Sequence, residues 1–266
     1  MSTLSLYIES HQNPQGLPAR LRLLSRALTQ ETLCEWRNLA RMPAFSLPTL
    51  LFPVIFYVMF AVVLPFANTP EAAVGVLVNF TIFGVVGPGL FAFGVGLAND
   101  RDEGWLRLKQ ASPLPIGILI AARMLVAMMF SLSVVLSLFA VAATVGDRPL
   151  SGNAWLALGI IGVLAVIPAS AIGMLLGAWL KARSAVAVVN IAYLGSAMLS
   201  GLWFPLHLMP DAMQSIAPWL PPYHLAEIAR FAVGAEAVNP AWSAGWLTCV
   251  TIVALLLASP GLRRQR

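Results

Sequence analysis

Two histidine–carboxylate pairs are the residues of this chain that come closest to a chemical site. His207 lies four positions before Asp211, and His224 lies three before Glu227, so each pair would share one face of a helix. Such groups could together bind a transition metal, or change charge near neutral pH and act as a proton-sensitive gate. The simpler interpretation is that both histidines form hydrogen bonds to loop carbonyls or lipid headgroups, and we expect no metal site.

An acidic cluster is the second candidate. Asp100, Asp102 and Glu103 follow Asn99 in a short charged stretch between two apolar segments. A metal site is one interpretation. The other is a capped helix start, because asparagine is a favoured N-cap and carboxylates are stabilised in the first turn of a helix. We therefore predict a charged helix that begins at Asn99 and ends before Pro113.

Sequence motifs of common enzymes are absent. The chain has no GxxxxGK[ST] phosphate-binding loop, no HExxH, no paired CxxC and no GxSxG. The sequence therefore predicts no catalytic residue, and no cofactor bound by this chain.

Composition places the chain in the membrane. Hydrophobic residues make up 59% of it and charged residues 10%, whereas soluble domains carry roughly a quarter charged residues. A bilayer-crossing helix needs about twenty apolar residues. We predict an all-α integral membrane protein with a cytosolic N-terminal tail (1–44), a transmembrane domain (45–260) and a basic tail (261–266). The six spans are expected at about 45–67, 74–97, 116–145, 154–180, 185–204 and 242–259.

The basic residues predict the orientation. Outside the spans they lie before span 1, between spans 2 and 3, between spans 4 and 5, and after span 6; only Arg148 and Arg230 occupy the alternate connections. Basic residues near span ends stay in the cytoplasm. We therefore expect a multi-pass protein with both termini cytoplasmic, and the net charge of +5 requires no nucleic-acid partner.

Two segments outside the spans have patterns of their own. Apolar residues recur at helical spacing over 17–40, which predicts an amphipathic helix in the membrane interface, or else a cytosolic helix packed on a partner. The connection over 204–242 is rich in proline and alternates apolar with polar residues. We predict short helices that re-enter the outer leaflet, with a plain extracellular loop as the alternative.

Polar groups inside the spans are mostly neutral. The candidates for lining a transport pathway are Asn79, Thr81, Asn190, Tyr193, Ser196 and Ser200. Ion-coupled carriers usually place a carboxylate or histidine in the membrane, and none is evident in these spans. Arg123 lies near the cytosolic start of span 3, and we expect it to snorkel to the cytosolic surface.

The order of these elements resembles the type-2 ABC exporter permeases, from about residue 20 to the end. The local motifs are Glu103-Gly104-Trp105-Leu106 with Ala111-Ser112-Pro113-Leu114, then Arg41-Met42-Pro43 before span 1, and Leu199–Pro205 leading to Met209-Pro210 and to Leu220–His224. Trp105 stands where the family more often has threonine.

The resemblance implies an assembly. Two copies of the permease, identical or paired with a paralogue, would meet through spans 1 and 5. Two separate ATPase subunits would bind ATP and Mg²⁺. The segment 100–111 would be a coupling helix on the ATPase, with contacts from Asp100, Asp102, Glu103, Gly104, Trp105, Leu106, Arg107 and Leu108.

The function implied is the permease subunit of an ATP-driven exporter in a bacterial inner membrane. Apolar spans with neutral polar groups favour hydrophobic or amphiphilic substrates, either drug-like, as in multidrug efflux, or lipid-linked. One alternative is an ATP-independent secondary carrier or channel. Another is an integral-membrane lipid enzyme that uses the two histidine–carboxylate pairs.

Overall fold

The computed structural model describes residues 17–64, 68–105, 115–144, 150–235 and 239–263, and within them every regular element is helical. The α-helices begin with α1 (Leu17–Ala40). They continue with α2 (Pro43–Val58), α3 (Pro70–Asp102), α4 (Ile116–Thr144), α5 (Gly152–Leu164), α6 (Val166–Trp179), α7 (Ala182–Leu199), α8 (Asp211–Ile216), α9 (Pro221–Ala232) and α10 (Pro240–Arg263).

Six of these segments are long and apolar enough to cross a membrane, which confirms the predicted fold class and the number of spans. Span 1 is α2 with its π-helical extension Met59–Val63, and span 2 is α3. Span 3 is α4, span 4 joins α5 and α6, span 5 is α7 and span 6 is α10.

Span 4 is interrupted at Ala165, between α5 and α6. The cause lies three residues later. Pro168 has no N–H to offer to the preceding turn, and its ring would clash with the carbonyl of Leu164 if the helix ran straight. The regular helix is therefore interrupted at a residue that the hydropathy pattern does not mark.

Span 2 occupies the centre of the molecule. Every residue from Phe80 to Leu90 is buried, on all sides of the helix. Spans 1, 3, 4 and 5 all pack against it, while span 6 packs on the second half of span 4 and on α9. A helix that is apolar all round is expected in such a central position.

Spans 2 and 4 approach each other at backbone distance. A Cβ atom built on Gly173 would lie 2.9 Å from the carbonyl oxygen of Gly89, and one on Gly177 would lie 2.9 Å from that of Gly94. The small-xxx-small pattern at 173–177 is therefore a helix contact. Only glycine leaves room for the opposing backbone.

The segments outside the spans are helical as well. Helix α1 packs on span 3, where the Trp36 and Phe130 ring centroids are 4.9 Å apart, yet Leu21, Leu23 and Leu33 stay exposed. The segment between spans 5 and 6 contains the short helices α8 and α9. The interfacial position of α1 and the re-entrant depth of α8 and α9 stay predictions.

Replacing Gly177 with alanine should destabilise the protein, because the new methyl group would meet backbone atoms of span 2. Overpacking of a close contact typically costs about 1–3 kcal/mol. Thermal unfolding in detergent, followed by size-exclusion chromatography, measures the shift in Tm.

Gly245→Ala in span 6 is the matched control, because a Cβ atom there has no neighbour within 4 Å. Alanine is the better helix former, so this variant should melt at the same temperature or slightly higher. Equal melting of both variants would contradict the close contact between spans 2 and 4.

Candidate coupling junction and transport groove

The acidic cluster lies at the end of a helix rather than at the start of one. Span 2 continues through Asn99 to Asp102, Glu103 is its C-cap, and Gly104 takes a positive φ of 80°. The predicted helix start at Asn99 is therefore wrong. A glycine in the left-handed conformation just after the last turn is a common C-terminal signal, and it ends this helix.

Arg123 is buried in an ion-pair cluster instead of snorkelling. Its Nη2 atom lies 2.5 Å from an oxygen of Asp100 at the end of span 2 and 3.1 Å from an oxygen of Glu35 on α1. Only 8% of the Arg123 surface is exposed. Two carboxylates around one guanidinium compensate its desolvation and join α1, span 2 and span 3 at one point.

The next two residues of span 2 bind the turn between spans 4 and 5. Arg101 donates to the carbonyl oxygens of Gly177, Ala178 and Leu180 at 3.2, 2.6 and 2.5 Å. An oxygen of Asp102 accepts from the backbone N–H of Ala182 at 2.8 Å. The cation thus satisfies carbonyls at the end of span 4, and the carboxylate caps the start of span 5.

The predicted ATPase-contact residues therefore fall into groups. The side chains of Asp100 and Asp102 bind within the chain, as just described. Glu103 and Trp105 are exposed on either side of the Gly104 turn, with 54% of the tryptophan surface accessible. The remaining predicted contacts, Leu106, Arg107 and Leu108, lie outside the described residues. We call 103–105 the coupling turn.

A groove of about 430 Å³ runs between spans 1, 2 and 5. Its lining is largely apolar, with Thr49, Asn190 and Tyr193 as the polar groups among the described residues. The Tyr193 hydroxyl donates to the carbonyl of Phe83 at 2.9 Å, and the Asn190 amide donates to Val186 in its own helix. Two of the six pathway candidates thus face this groove.

The other four candidates lie elsewhere. Thr81 and Ser200 are fully buried, and the Ser200 hydroxyl donates to Ala197 of its own helix. Ser196 lines a second, apolar groove of about 410 Å³ beside span 4 and α9. Asn79 belongs to a hydrogen-bond network near the N-terminal end of span 2. The pathway residues are therefore not brought together in one place.

That network contains a cation for which the sequence predicted no binding role. Arg230 of α9 pairs with Glu227 at 2.5 Å and donates to the Asn79 side chain at 2.8 Å. The Asn79 amide in turn donates to the carbonyl of Gly201, after span 5, at 3.3 Å. The network thus connects α9, span 2 and the end of span 5.

His224 serves a structural role. Its Nε2 atom is 2.8 Å from the carbonyl oxygen of Pro218 and must donate there, so Nδ1 accepts from the Ser243 hydroxyl at 3.0 Å. The ring stacks on Trp246, and burial lowers the pKa of His224. Both ring nitrogens are engaged, while His207 is exposed. Within the described residues, no three His, Cys, Asp or Glu side chains cluster as metal ligands.

Known proteins resemble this chain over most of its length. The sequence profile of the family described as "ABC-2 type transporter" matches residues 28–233. A protein of Bacillus subtilis (strain 168) named "Putative transport permease YvfS" is 28% identical over 242 residues, which is 90% of this chain and 98% of that protein. The matched part includes the junction at the end of span 2 and both grooves.

Replacing Arg123 with methionine should strongly destabilise the protein, because the carboxylates of Glu35 and Asp100 would lose the guanidinium between them. Breaking a buried ion pair typically costs about 3–5 kcal/mol. Unfolding of the purified protein, monitored by temperature or denaturant, gives the loss.

Arg22→Met is the matched control, because Arg22 is an exposed cation on α1. If both arginine variants lose the same stability, the buried cluster has no special role. A triple variant with Glu35→Gln and Asp100→Asn added should recover part of the loss by removing the uncompensated charges.

Proposed function

Since this chain belongs to the ABC-2 type transporter family and is thus the membrane subunit of an ABC transporter, we propose that it exports hydrophobic or amphiphilic molecules with energy from ATP. Drug-like compounds, as in multidrug efflux, and lipid-linked compounds are the substrate classes we favour. ATP and Mg²⁺ would bind to a partner ATPase, present as two subunits per complex.

The observation that carries the proposal is the combination of an exposed coupling turn with a bound helix end behind it. Glu103 and Trp105 are accessible, while Asp100, Arg101 and Asp102 tie the same helix end to the rest of the membrane domain. A partner that pushes on the turn would move the spans, because the side chains behind the turn prevent it from moving independently of them. We propose that the ATPase docks at this turn.

The groove between spans 1, 2 and 5 supports the proposed substrate class. Among its described residues the polar groups are a hydroxyl, an amide and a phenol, with neither carboxylate nor histidine. Such a lining suits a mainly apolar molecule with a few hydrogen-bonding groups. Leu51 and Ile55 of span 1 and Ile191 of span 5 are exposed as well. A second permease copy, identical or a paralogue, would cover these spans and enclose the path.

The two alternatives receive less support. An ion-coupled carrier would need a titratable group on its path, and the groove offers no carboxylate or histidine in its described lining. A lipid enzyme built on the histidine–carboxylate pairs would need a free imidazole. His224 already uses both nitrogens, and Glu227 is paired with Arg230.

We propose an inner-membrane location with both termini in the cytoplasm. The argument is the placement of basic residues, which lie in α1, between spans 2 and 3, and at Lys181 and Arg183 between spans 4 and 5. Arg230, on the other side, is held by Glu227 and Asn79.

Replacing Glu103 with lysine should release the ATPase, because it reverses an exposed charge at the proposed docking turn. We expect recovery of the ATPase with the tagged chain, purified from its native membrane in nanodiscs, to fall by about tenfold or more. Mass spectrometry of the purified material measures that recovery.

Glu71→Lys is the matched control, since Glu71 is an exposed carboxylate at the opposite end of the same helix. It should leave the recovery unchanged. Equal recovery of the ATPase with the native chain, Glu103→Lys and Glu71→Lys would contradict docking at this turn. A native chain that purifies without any ATPase would contradict ATP-driven export.

Single cysteines at Asp211 and Lys181 should report opposite sides of the membrane. Both residues are exposed, and native Cys34 and Cys249 would first be replaced by serine. An impermeant maleimide should label Asp211→Cys in intact protoplasts, and Lys181→Cys only after permeabilisation. The reverse pattern would invert the topology.

A further inference from the structure

We propose that spans 2 and 5 move as one rigid body, so that the coupling turn drives span 5 directly and moves the groove wall carried by span 5. We name this pair the span 2–span 5 unit. The inference rests on the proposed function, because a bound ATPase supplies the movement. Its content is separate: it assigns to Arg101 and Asp102 the transfer of that movement to one particular span.

The cytosolic ends of the unit are joined by charge. Spans 4 and 5 are connected by residues 180–181 alone, because span 4 ends at Trp179 and span 5 begins at Ala182. Arg101 binds carbonyls at the end of span 4 and that of Leu180 in the connection itself, and Asp102 caps the start of span 5. A connection of two residues is too short to absorb a movement of its ends, so a displacement of Arg101 and Asp102 must displace the start of span 5.

The middle of the unit is held by shape and by a hydrogen bond. A Cβ atom on Gly94 would lie 2.7 Å from Val189, so span 5 rests directly on the span 2 backbone there. One turn further along span 5, the Tyr193 hydroxyl bonds to the Phe83 carbonyl, and its ring stacks on that of Phe83 at 4.8 Å. Rotation of either helix about its axis would break this pairing.

The external ends are joined as well. Asn79 of span 2 donates to the carbonyl of Gly201, directly after span 5, and Arg230 holds Asn79 in that orientation. The attachments from Asn79 to Asp102 extend over about 35 Å of helix, at 1.5 Å per residue. Fixation at both ends and in the middle opposes tilting, sliding and rotation alike, so the two spans follow one another.

Movement of the unit would shift Tyr193 and Asn190 when the ATPase moves. Both lie on the face of span 5 that lines the groove between spans 1, 2 and 5. Movement of the unit relative to span 1 changes the width of this groove. The side chains on the far wall, among them Thr49 and Phe52, belong to span 1 and stand outside the unit.

The test follows span 5 in the complete complex of permease and ATPase, and it needs no knowledge of the substrate. Cys34 and Cys249 are replaced by serine, and Val186→Cys, on the groove face of span 5, serves as the reporter. The rate of maleimide labelling is measured without nucleotide and with trapped ATP–vanadate. For the otherwise unchanged chain we expect the two rates to differ by about threefold or more.

In Asp102→Ala and in Arg101→Met the ratio of the two labelling rates should be close to one, while the ATPase stays bound and ATP hydrolysis continues. Asp102→Asn should restore the difference, because an asparagine side chain can still cap the start of span 5. A role in folding alone would lower the amount of protein recovered without changing the nucleotide dependence of labelling.

Tyr193→Phe keeps the ring stack and removes the hydrogen bond to Phe83, so it provides a second test if the cytosolic variants do not fold. It should weaken the nucleotide response. Ser196→Ala, less than one turn away, removes only a bond within span 5 and should keep the full response.

Full nucleotide-dependent labelling in Asp102→Ala and in Tyr193→Phe would overturn the unit, as would an unchanged labelling rate in the parent while ATP is hydrolysed. The proposed function fails in a different way. In that case no ATPase is recovered with the parent chain, or the recovered complex hydrolyses no ATP, and the unit loses its source of movement.

Discussion

Charged side chains next to the hydrocarbon must be satisfied by the protein itself, and this constraint sets the geometry of the half of the molecule that contains the end of span 2. Arg123 is satisfied by carboxylates from α1 and span 2, and Arg101 by carbonyls at the end of span 4. Each of these two sets of contacts attaches the end of span 2 to different neighbouring elements. One turn of span 2 therefore holds α1, span 3 and the connection between spans 4 and 5 together, and the coupling turn projects from this point.

The features that could be predicted from the sequence are those encoded locally. Long apolar runs are visible without knowledge of their neighbours, so six spans could be counted. The prolines and alternating residues between spans 5 and 6 likewise indicated short helices. Local signals also misled. Asn99 followed by Asp100 and Asp102 has the composition of a helix start, yet it lies in the last turn of span 2. Asp102 does cap a helix, but that helix begins at Ala182, far along the chain.

The contacts that hold the site together are not local. Glu35 and Arg123 are 88 positions apart, and Asn79 and Arg230 are 151 apart. An arginine inside a span requires a partner, but the sequence contains several carboxylates and does not choose among them. The same holds for the polar residues of the spans. Residue type alone could not separate Asn190, in the groove, from Thr81, which is fully buried, because span 2 is apolar all round and its rotation is set by packing.

The central position of span 2 has a consequence for biosynthesis. Its neighbours come from both directions along the chain: span 1 is made before it, and spans 3, 4 and 5 after it. The small-residue face around Gly89 and Gly94 meets its partner only when Gly173 and Gly177 have been synthesised. Arg101 likewise waits for the carbonyls of residues 177–180. Span 2 must therefore remain among lipids, the insertion machinery or a chaperone during much of translation, and the core of the protein closes late, when span 5 leaves the ribosome.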